Sequence, residues 1–583
     1  MPIAKPVSLR LRFLTSRDSI IAIILLIFMA VVMFSVIRRK SLTNDEFYHI
    51  PAGCYALYNR DLSLNPENPP LMKFISALPF VFDPPTLGNP DNGLDANPIV
   101  RGHHAFTQFW IDNDARFDSI AFRARLPMIA LTLVLGWLMF VVTRKSFGSS
   151  AALFALLLFV CEPTLLAHGH IVQNDVLSAL TYLMFFSGLQ RYGTRPSPRT
   201  AIWLGICVGV AVCTKYSLLS VLGILLVAFL LIQWRRIKSQ VQLRNSLLDG
   251  ILVLAIAVLV VNILFLFVGG TLNTQDAEWL QLHRSIPVRF LVTSFPWASK
   301  ILPAPFLVGI ATLISHNVEG ASSSLLGMYG NGGWIYYLPI TFGLKTNLPS
   351  LMGSLAGLGW AIWTTGRKRD RRFLMPLAAI GVYSAVAMFN RIDIGVRHFL
   401  PVFPFLFMLA GAFVSLTRIW TTGWRIVFVG VLSFVMILEL SYVFPDYLPY
   451  MNQLKGNRPA WQLLSDSNVE WGEDSGALAR YLTERGETRV RTAILGGWLT
   501  LRHVKIDTVD PFDTLSHSET KYIAIGASYL NGSTVPRNIR TGDGRTLTET
   551  ECINFFDKYR RIEPVAVFGQ SIYLFQYSDD EVR

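Results

Sequence analysis

Residues 20–37 read IIAIILLIFMAVVMFSVI, with no charged side chain over about the length that an α-helix needs to cross hydrocarbon. The run is longer than the apolar core of a signal peptide, and no small-residue cleavage site follows it, so it is predicted as a retained first span. The rest of the chain agrees with that reading. Of 583 residues, 52% are hydrophobic and only 16% charged, more apolar material than one soluble core can use. Further apolar segments begin near Leu126, Ser149, Val176, Ala201, Leu219, Leu248, Leu348, Leu374, Phe399 and Ile426. The predicted fold is therefore a polytopic α-helical membrane protein of about eleven spans.

Charge orients those spans. With Lys5, Arg10, Arg12 and Arg17 in the cytoplasm, alternate connections carry Arg144-Lys145, then Arg191/Arg195/Arg199, then Arg235-Arg236/Lys238/Arg244, then Arg367-Lys368-Arg369/Arg371-Arg372, and then Arg418/Arg425. Each falls inside, as the positive-inside rule requires, and Arg38-Arg39-Lys40 is the one exception. The net charge of +13 is thus a mark of membrane orientation and not of nucleic-acid binding. An odd number of spans places the tail outside. The division is a membrane domain over 1–443, with outer loops 38–125 and 270–345, and a small extracytoplasmic α/β domain over 444–583. In the tail, a helical pattern over Ser475 to Glu484 alternates with strand-like runs such as Lys521 to Ile525 and Ile572 to Gln576. Residues 301–315 are apolar but short and carry two prolines, which predicts a segment along the interface. Cys54, Cys161, Cys207, Cys213 and Cys552 stand at unrelated spacings, so no disulfide framework or Cys-pair metal site is expected.

Polar residues near a bilayer are costly and therefore informative. They gather at the outer ends of the spans. TNDEFYHIPAG holds Asp45, Glu46 and His49, with Asp45 and His49 on one helix face at i, i+4. LSLNPENPPLMKF holds Glu67 and Lys73, and AHGHIVQNDVLSAL holds His168, His170 and Asp175. Basic groups at the same level are Lys215, Lys345, Arg391, Arg397 and His398. Carboxylates beside Lys and Arg suit a reaction between an acceptor hydroxyl and an anionic, lipid-borne leaving group: the carboxylate takes the proton, and the cations stabilise the departing phosphate. Each group also has a plainer reading. Asp45, Glu46 and Asp175 suit helix caps, Lys215 and Lys345 suit snorkelling to headgroups, and Glu67-Asn68-Pro69-Pro70 suits a turn. The histidines with a carboxylate allow a divalent metal as a lesser reading, although no ligand signature is present and no cofactor is required. Trp334, Tyr336 and Tyr337 read as an interfacial aromatic belt, and the triplet Asn531-Gly532-Ser533 is given no function.

The segments NDEFYHIPAGCYAL, NPENPPLMKFISALP, QNDVLSAL, GGWIYYLPITFGLKTNLP, RHFLPVFPFL and FPDYLPYMNQL, followed by DSNVEWGEDSGALARYL, resemble bacterial members of the dolichyl-phosphate-mannose protein mannosyltransferase family. More distantly they resemble the lipid A aminoarabinose transferases. Members of the bacterial subgroup often show DSNLDWGQD where this chain has Glu470 and Glu473 in DSNVEWGED, and the tail lacks the trefoil repeats of eukaryotic protein mannosyltransferases.

The resemblance implies a multi-pass plasma-membrane enzyme that moves a sugar from a polyprenyl-phosphate donor to a hydroxyl of a protein, glycan or lipid acceptor, by direct displacement with inversion. By it Asp45 and Glu46 match the acidic pair of the first outer loop, Asp45 as general base, and Asp175 matches the acid of the second. Arg397 and Lys345 fall where basic residues face the donor phosphate, and Lys215, His49, Glu67 and His398 join them as candidate substrate-binding groups. The competing functions are a flippase or transporter of lipid-linked sugar and a non-catalytic envelope assembly factor.

Overall fold

The computed structural model describes residues 16–89, 98–234, 239–269, 300–417, 422–513, 520–541 and 544–577. The predicted charge markers Lys5, Arg10, Arg12, Arg235, Arg236, Lys238 and Arg418, and residues 270–299 of the second outer loop, lie outside them. A helix stands at each predicted apolar segment: α1 (Arg17–Ile37), α2 (Phe117–Phe147), α3 (Ser149–Val160), α4 (Asn174–Thr194), α5 (Pro198–Val212), α6 (Leu218–Trp234), α7 (Gln240–Leu264), α8 (Leu348–Lys368), α9 (Leu374–Met388), α10 (Phe403–Leu416) and α11 (Thr422–Val443). Among the described residues five stretches are long and apolar enough to cross a membrane; they centre on α1, α2, α7, α10 and α11.

The outward surface is hydrocarbon, as lipid requires. Ile24 and Val31 of α1 are about 60% exposed, while Ala22, Met29 and Met33 on the opposite face are closed off. At the centre, α3 packs against α2 and α10, and α10 also against α8. Helix α3 has 12 residues, about 18 Å at 1.5 Å per residue, too short for a bilayer; protein rather than lipid surrounds it. Close approach here depends on missing side chains. A Cβ on Gly411 of α10 would lie 2.2 Å from the Ala151 carbonyl oxygen of α3, and one on Gly357 of α8 would lie 2.5 Å from the Ala410 nitrogen.

Helix α2 starts at Phe117, nine residues before the apolar segment predicted from Leu126. With 31 residues it is about 46 Å long and projects beyond the hydrocarbon, lifting Arg125 to the level of the first outer loop. That loop forms the helices Asn44–Tyr58, Pro70–Ala77 and Pro98–Asp112, tied together where the Trp110 indole donates to the Phe47 carbonyl at 3.1 Å. The short apolar stretch after Ile301 forms one helix, Ala304–Glu319, which leads to a hairpin of β1 (Ser323–Leu325) and β2 (Met328–Gly330).

The tail is an α/β unit. Its strands β3 (Arg489–Ala493), β4 (Asp507–Val509), β5 (Tyr522–Gly526), β6 (Ala566–Phe568) and β7 (Ile572–Gln576) stand in the order β4-β3-β5-β7-β6. β3 pairs parallel to β4 and β5, whereas β7 pairs antiparallel to β5 and β6. The central β5 reads YIAIG and is buried at every position, as a strand covered on both faces must be. The helix Ser475–Glu484 forms as its period predicts.

Candidate active site

Four elements place one charged side chain each around a common centre. The first outer helix begins at Asn44 behind Thr43, whose N–H donates to Glu46 Oε2 at 2.9 Å in a capping box. That cap turns Asp45 outward, partly exposed, and Glu46 inward, fully closed. Asp175 lies in the first turn of α4. Arg397 sits on the 3-10 turn Val396–Val402 that leads into α10, and Lys215 lies between α5 and α6.

These side chains form a continuous chain of charges. Arg397 Nη1 lies 2.8 Å from Asp45 Oδ2 and 3.5 Å from Asp175 Oδ2. Lys215 Nζ reaches Asp175 Oδ1 at 2.6 Å. His49 Nε2 stands 3.9 Å from Asp45 Oδ2, on the helix face that the i, i+4 spacing predicts. The sequence separation between Asp45 and Arg397 exceeds 350 residues, so convergence of Asp45, Asp175, Lys215 and Arg397 is a property of the fold.

A cavity opens at each end of the chain. One, of about 300 Å³, is lined by polar groups that include Asp45, His49, Asn65, Glu67 and Asn68. The other, of about 240 Å³, has Lys215, His398 and Asp393 beside a wall of Leu313, Val386 and Phe389. Burial pushes His49 down to about 4, so its ring is neutral at pH 7. Burial also raises the Glu67 carboxyl, against the pull of His316 and Lys73; His316 Nδ1 is 3.5 Å away.

Four residues singled out in the sequence stand elsewhere. Glu46 faces away from the cavities. Arg125 grips it through Nε at 2.7 Å and Nη2 at 2.6 Å, and the Val172 N–H donates to it at 3.1 Å. Burial alone raises the Glu46 carboxyl, but the Arg125 charge and these hydrogen bonds overcome it and hold the group below the usual range. Lys345 is buried and donates to the Asn468 carbonyl at 2.6 Å and to that of Leu448, so its ammonium pins the tail. Burial pushes it down to about 7. His168 and His170 pack inside: Gln173 Nε2 lies 3.0 Å from His168 Nδ1, and His170 Nδ1 lies 2.9 Å from the Leu166 carbonyl. Among the described residues no group of three or more His, Cys, Asp or Glu is arranged around a metal position.

The tail supplies what the sequence reading left without a role. The segment 465–474 runs along the site. Arg397 Nε donates to Ser467 Oγ at 3.0 Å, and its guanidinium lies 4.3 Å from the centre of the Trp471 ring. The same segment holds the first outer helix: Asn44 N–H donates to the Trp471 carbonyl at 2.9 Å, and Ser41 N–H donates to that of Glu473 at 2.8 Å. Asn468 receives the Val396 N–H at 2.9 Å. One stretch of tail therefore sets Asp45 and Arg397 against each other. It is itself anchored by Glu470, which accepts from Leu495 and Ser528 N–H groups, and by Lys40 between Asp446 and Asp474. Burial raises the Glu470 and Glu473 carboxyls to about 8. The signal for this role is the run DSNVEWGED itself, whose polar residues after Asp466 are buried in the fold.

Residues 116–265 match the model of the dolichyl-phosphate-mannose-protein mannosyltransferase family, the family that the sequence motifs resemble. No curated protein sequence matches. Among solved structures, the chain is similar to ArnT from Cupriavidus metallidurans in the apo state, at 13% identity over 95% of this chain and 97% of that one, with a TM-score of 0.46. The same protein bound to undecaprenyl phosphate gives 16% identity over 83% and 74%, with a TM-score of 0.45. The oligosaccharyltransferase of Archaeoglobus fulgidus gives 11% identity over 87% and 68%, with a TM-score of 0.43.

Proposed function

We propose that this chain is a membrane glycosyltransferase, resident in the plasma membrane, which transfers a sugar from a polyprenyl-phosphate donor to an acceptor hydroxyl at the extracytoplasmic face. The family match over residues 116–265 supports the class. The observation that carries the mechanism is the chain Asp45–Arg397–Asp175–Lys215, which joins a polar cavity to one walled in part by hydrocarbon side chains.

The donor's isoprenoid lies among the apolar residues of the second cavity, with its phosphate at Lys215 and Arg397. Asp175 fixes the two cations and keeps them from being unpaired in a site near lipid. The acceptor enters the polar cavity with its hydroxyl on Asp45. In the reacting step the acceptor oxygen bonds to the anomeric carbon and its proton passes to Asp45. The bond from that carbon to phosphate oxygen breaks, and the electron pair leaves on the lipid phosphate, where Arg397 and Lys215 stabilise it. Attack and departure from opposite sides invert the anomeric centre. Glu46 serves through Arg125 by fixing the helix that presents Asp45, and Lys345 by fixing the tail.

Mass spectrometry of polyprenyl-phosphate sugars and surface glycans, in cells with and without the gene, tests the reading. Loss of the gene is expected to accumulate one polyprenyl-phosphate sugar while one glycosylated product disappears. Unchanged lipid and glycan profiles would overturn it.

A further inference from the structure

The polar cavity has a lining that no step above accounts for. Besides Asp45 it contains Glu67, the amides of Asn44, Asn65 and Asn68, the rings of Tyr48 and Phe106, and two histidines. Among the described residues that line it there is no lysine or arginine. Of the cations nearby, Lys73 Nζ donates to the Asn65 carbonyl at 2.7 Å, and Arg101 Nη2 reaches Ser63 Oγ at 3.2 Å. Two of the lining residues, His49 and Asn65, each carry a buried polar atom, Nδ1 and Oδ1, that makes no hydrogen bond in the protein. Their side chains are more than nine-tenths closed off, and buried polar atoms without partners are uncommon enough to call for a ligand or water to satisfy them.

We infer that the acceptor is an uncharged, polyhydroxylated group, the terminal sugar of a neutral glycan, and that Asn65, Glu67 and His49 are its binding residues. The inference rests on the transferase reading and names the substrate class of that same site. Hydroxyls both donate and accept, so a sugar suits the Asn65 and Asn68 amides, the Glu67 carboxylate and the His49 ring that line the cavity. Tyr48 and Phe106 offer apolar ring surface to its carbon-bound hydrogens. An anionic headgroup would meet two carboxylates in a lining without lysine or arginine, the nearby Arg397 being already paired with Asp45, an arrangement that selects against it. At about 300 Å³ the cavity is at the small end of ligand sites, suited to a glycan end rather than to a long run of peptide.

Direct binding tests this. The full-length protein in lipid nanodiscs would be applied to an array of neutral oligosaccharides, their phosphorylated counterparts, and serine- and threonine-containing peptides. Neutral members are expected to bind, with phosphorylated counterparts at least tenfold weaker. Glu67→Gln should narrow that gap several-fold. Asn65→Gly, which suits the left-handed backbone there (φ 57°), should weaken neutral binding about tenfold while retention of polyprenyl phosphate is unchanged. Equal or tighter binding of peptides or phosphorylated sugars, no binding by any neutral member, or indifference to both substitutions would overturn the assignment. Neutral-glycan binding in a protein that transfers from no polyprenyl-phosphate donor would defeat the transferase reading and leave this one standing. Transfer onto peptide would do the reverse.

Discussion

The two cavities are alike in size and opposite in character. The one at Asp45 is lined by amides, carboxylates and histidines; the one at Lys215 sets a few polar groups against aliphatic and aromatic walls. Between them runs a single line of alternating charge whose two ends face different surroundings. Such a partition lets a lipid and a hydroxyl compound approach the same atom without sharing a binding surface. It also divides the expected effects of substitution: changes on the polar side should spare donor binding, and changes on the apolar side should not.

Asp45→Asn breaks the partition most sharply. It keeps the shape and a hydrogen bond to Arg397 but removes the proposed base, so transfer should fall about 10³-fold, with polyprenyl-phosphate retention as in the unmodified protein. Loss of lipid retention instead would show that the two cavities do not act separately. Arg397→Lys tests the septum. A lysine keeps the charge but cannot contact Asp45, Ser467 and the Trp471 ring together, and kcat is expected to fall about 100-fold. Lys215→Met tests the apolar side alone: it should weaken polyprenyl-phosphate binding about 30-fold, the scale of one charge-assisted hydrogen bond, and leave glycan binding as it was.

Why some of this was legible before the structure follows from what each residue needs. A membrane span is decided by local composition, so a helix lies at every predicted segment from α1 to α11. Its length is decided by neighbours. The 12 residues of α3 suffice because protein encloses them, and α2 runs on past the hydrocarbon because the outer loop packs around it. Asp45, Asp175, Lys215 and Arg397 were visible as polar residues at span ends. Glu46 shows the limit of that signal. It shares its neighbour's chemistry and differs only by the roughly 100° turn of a helix, and the partner that claims it, Arg125, lies 79 positions away. Lys345 is likewise taken up elsewhere, because its acceptors are backbone carbonyls of Leu448 and Asn468, and sequence does not announce where a carbonyl will point. The tail was read as a separate outer domain, yet residues 465–474 belong physically to the site. Glu470 and Glu473 stand where the resembled bacterial subgroup often has Asp and Gln; both are buried, and Glu470 anchors the segment through the Leu495 and Ser528 N–H groups.

That segment supplies the smallest and most discriminating prediction. Trp471 is not among the residues that line either cavity; it acts on Arg397 through the face of its ring at 4.3 Å. A cation–π contact in a closed site is worth about 1–2 kcal/mol, so Trp471→Leu should lower kcat about five- to thirtyfold. KM for the donor should move little, since Lys215 still holds the phosphate, and Trp471→Phe should restore most of the loss by returning an aromatic face. A purely packing role predicts another order: Leu and Phe, both smaller than Trp, would leave similar voids and lose activity together with thermal stability. Equal kcat in the two variants, or a loss that follows the melting temperature, would separate the tail from the chemistry and reduce the septum to Asp45, Arg397, Asp175 and Lys215 alone.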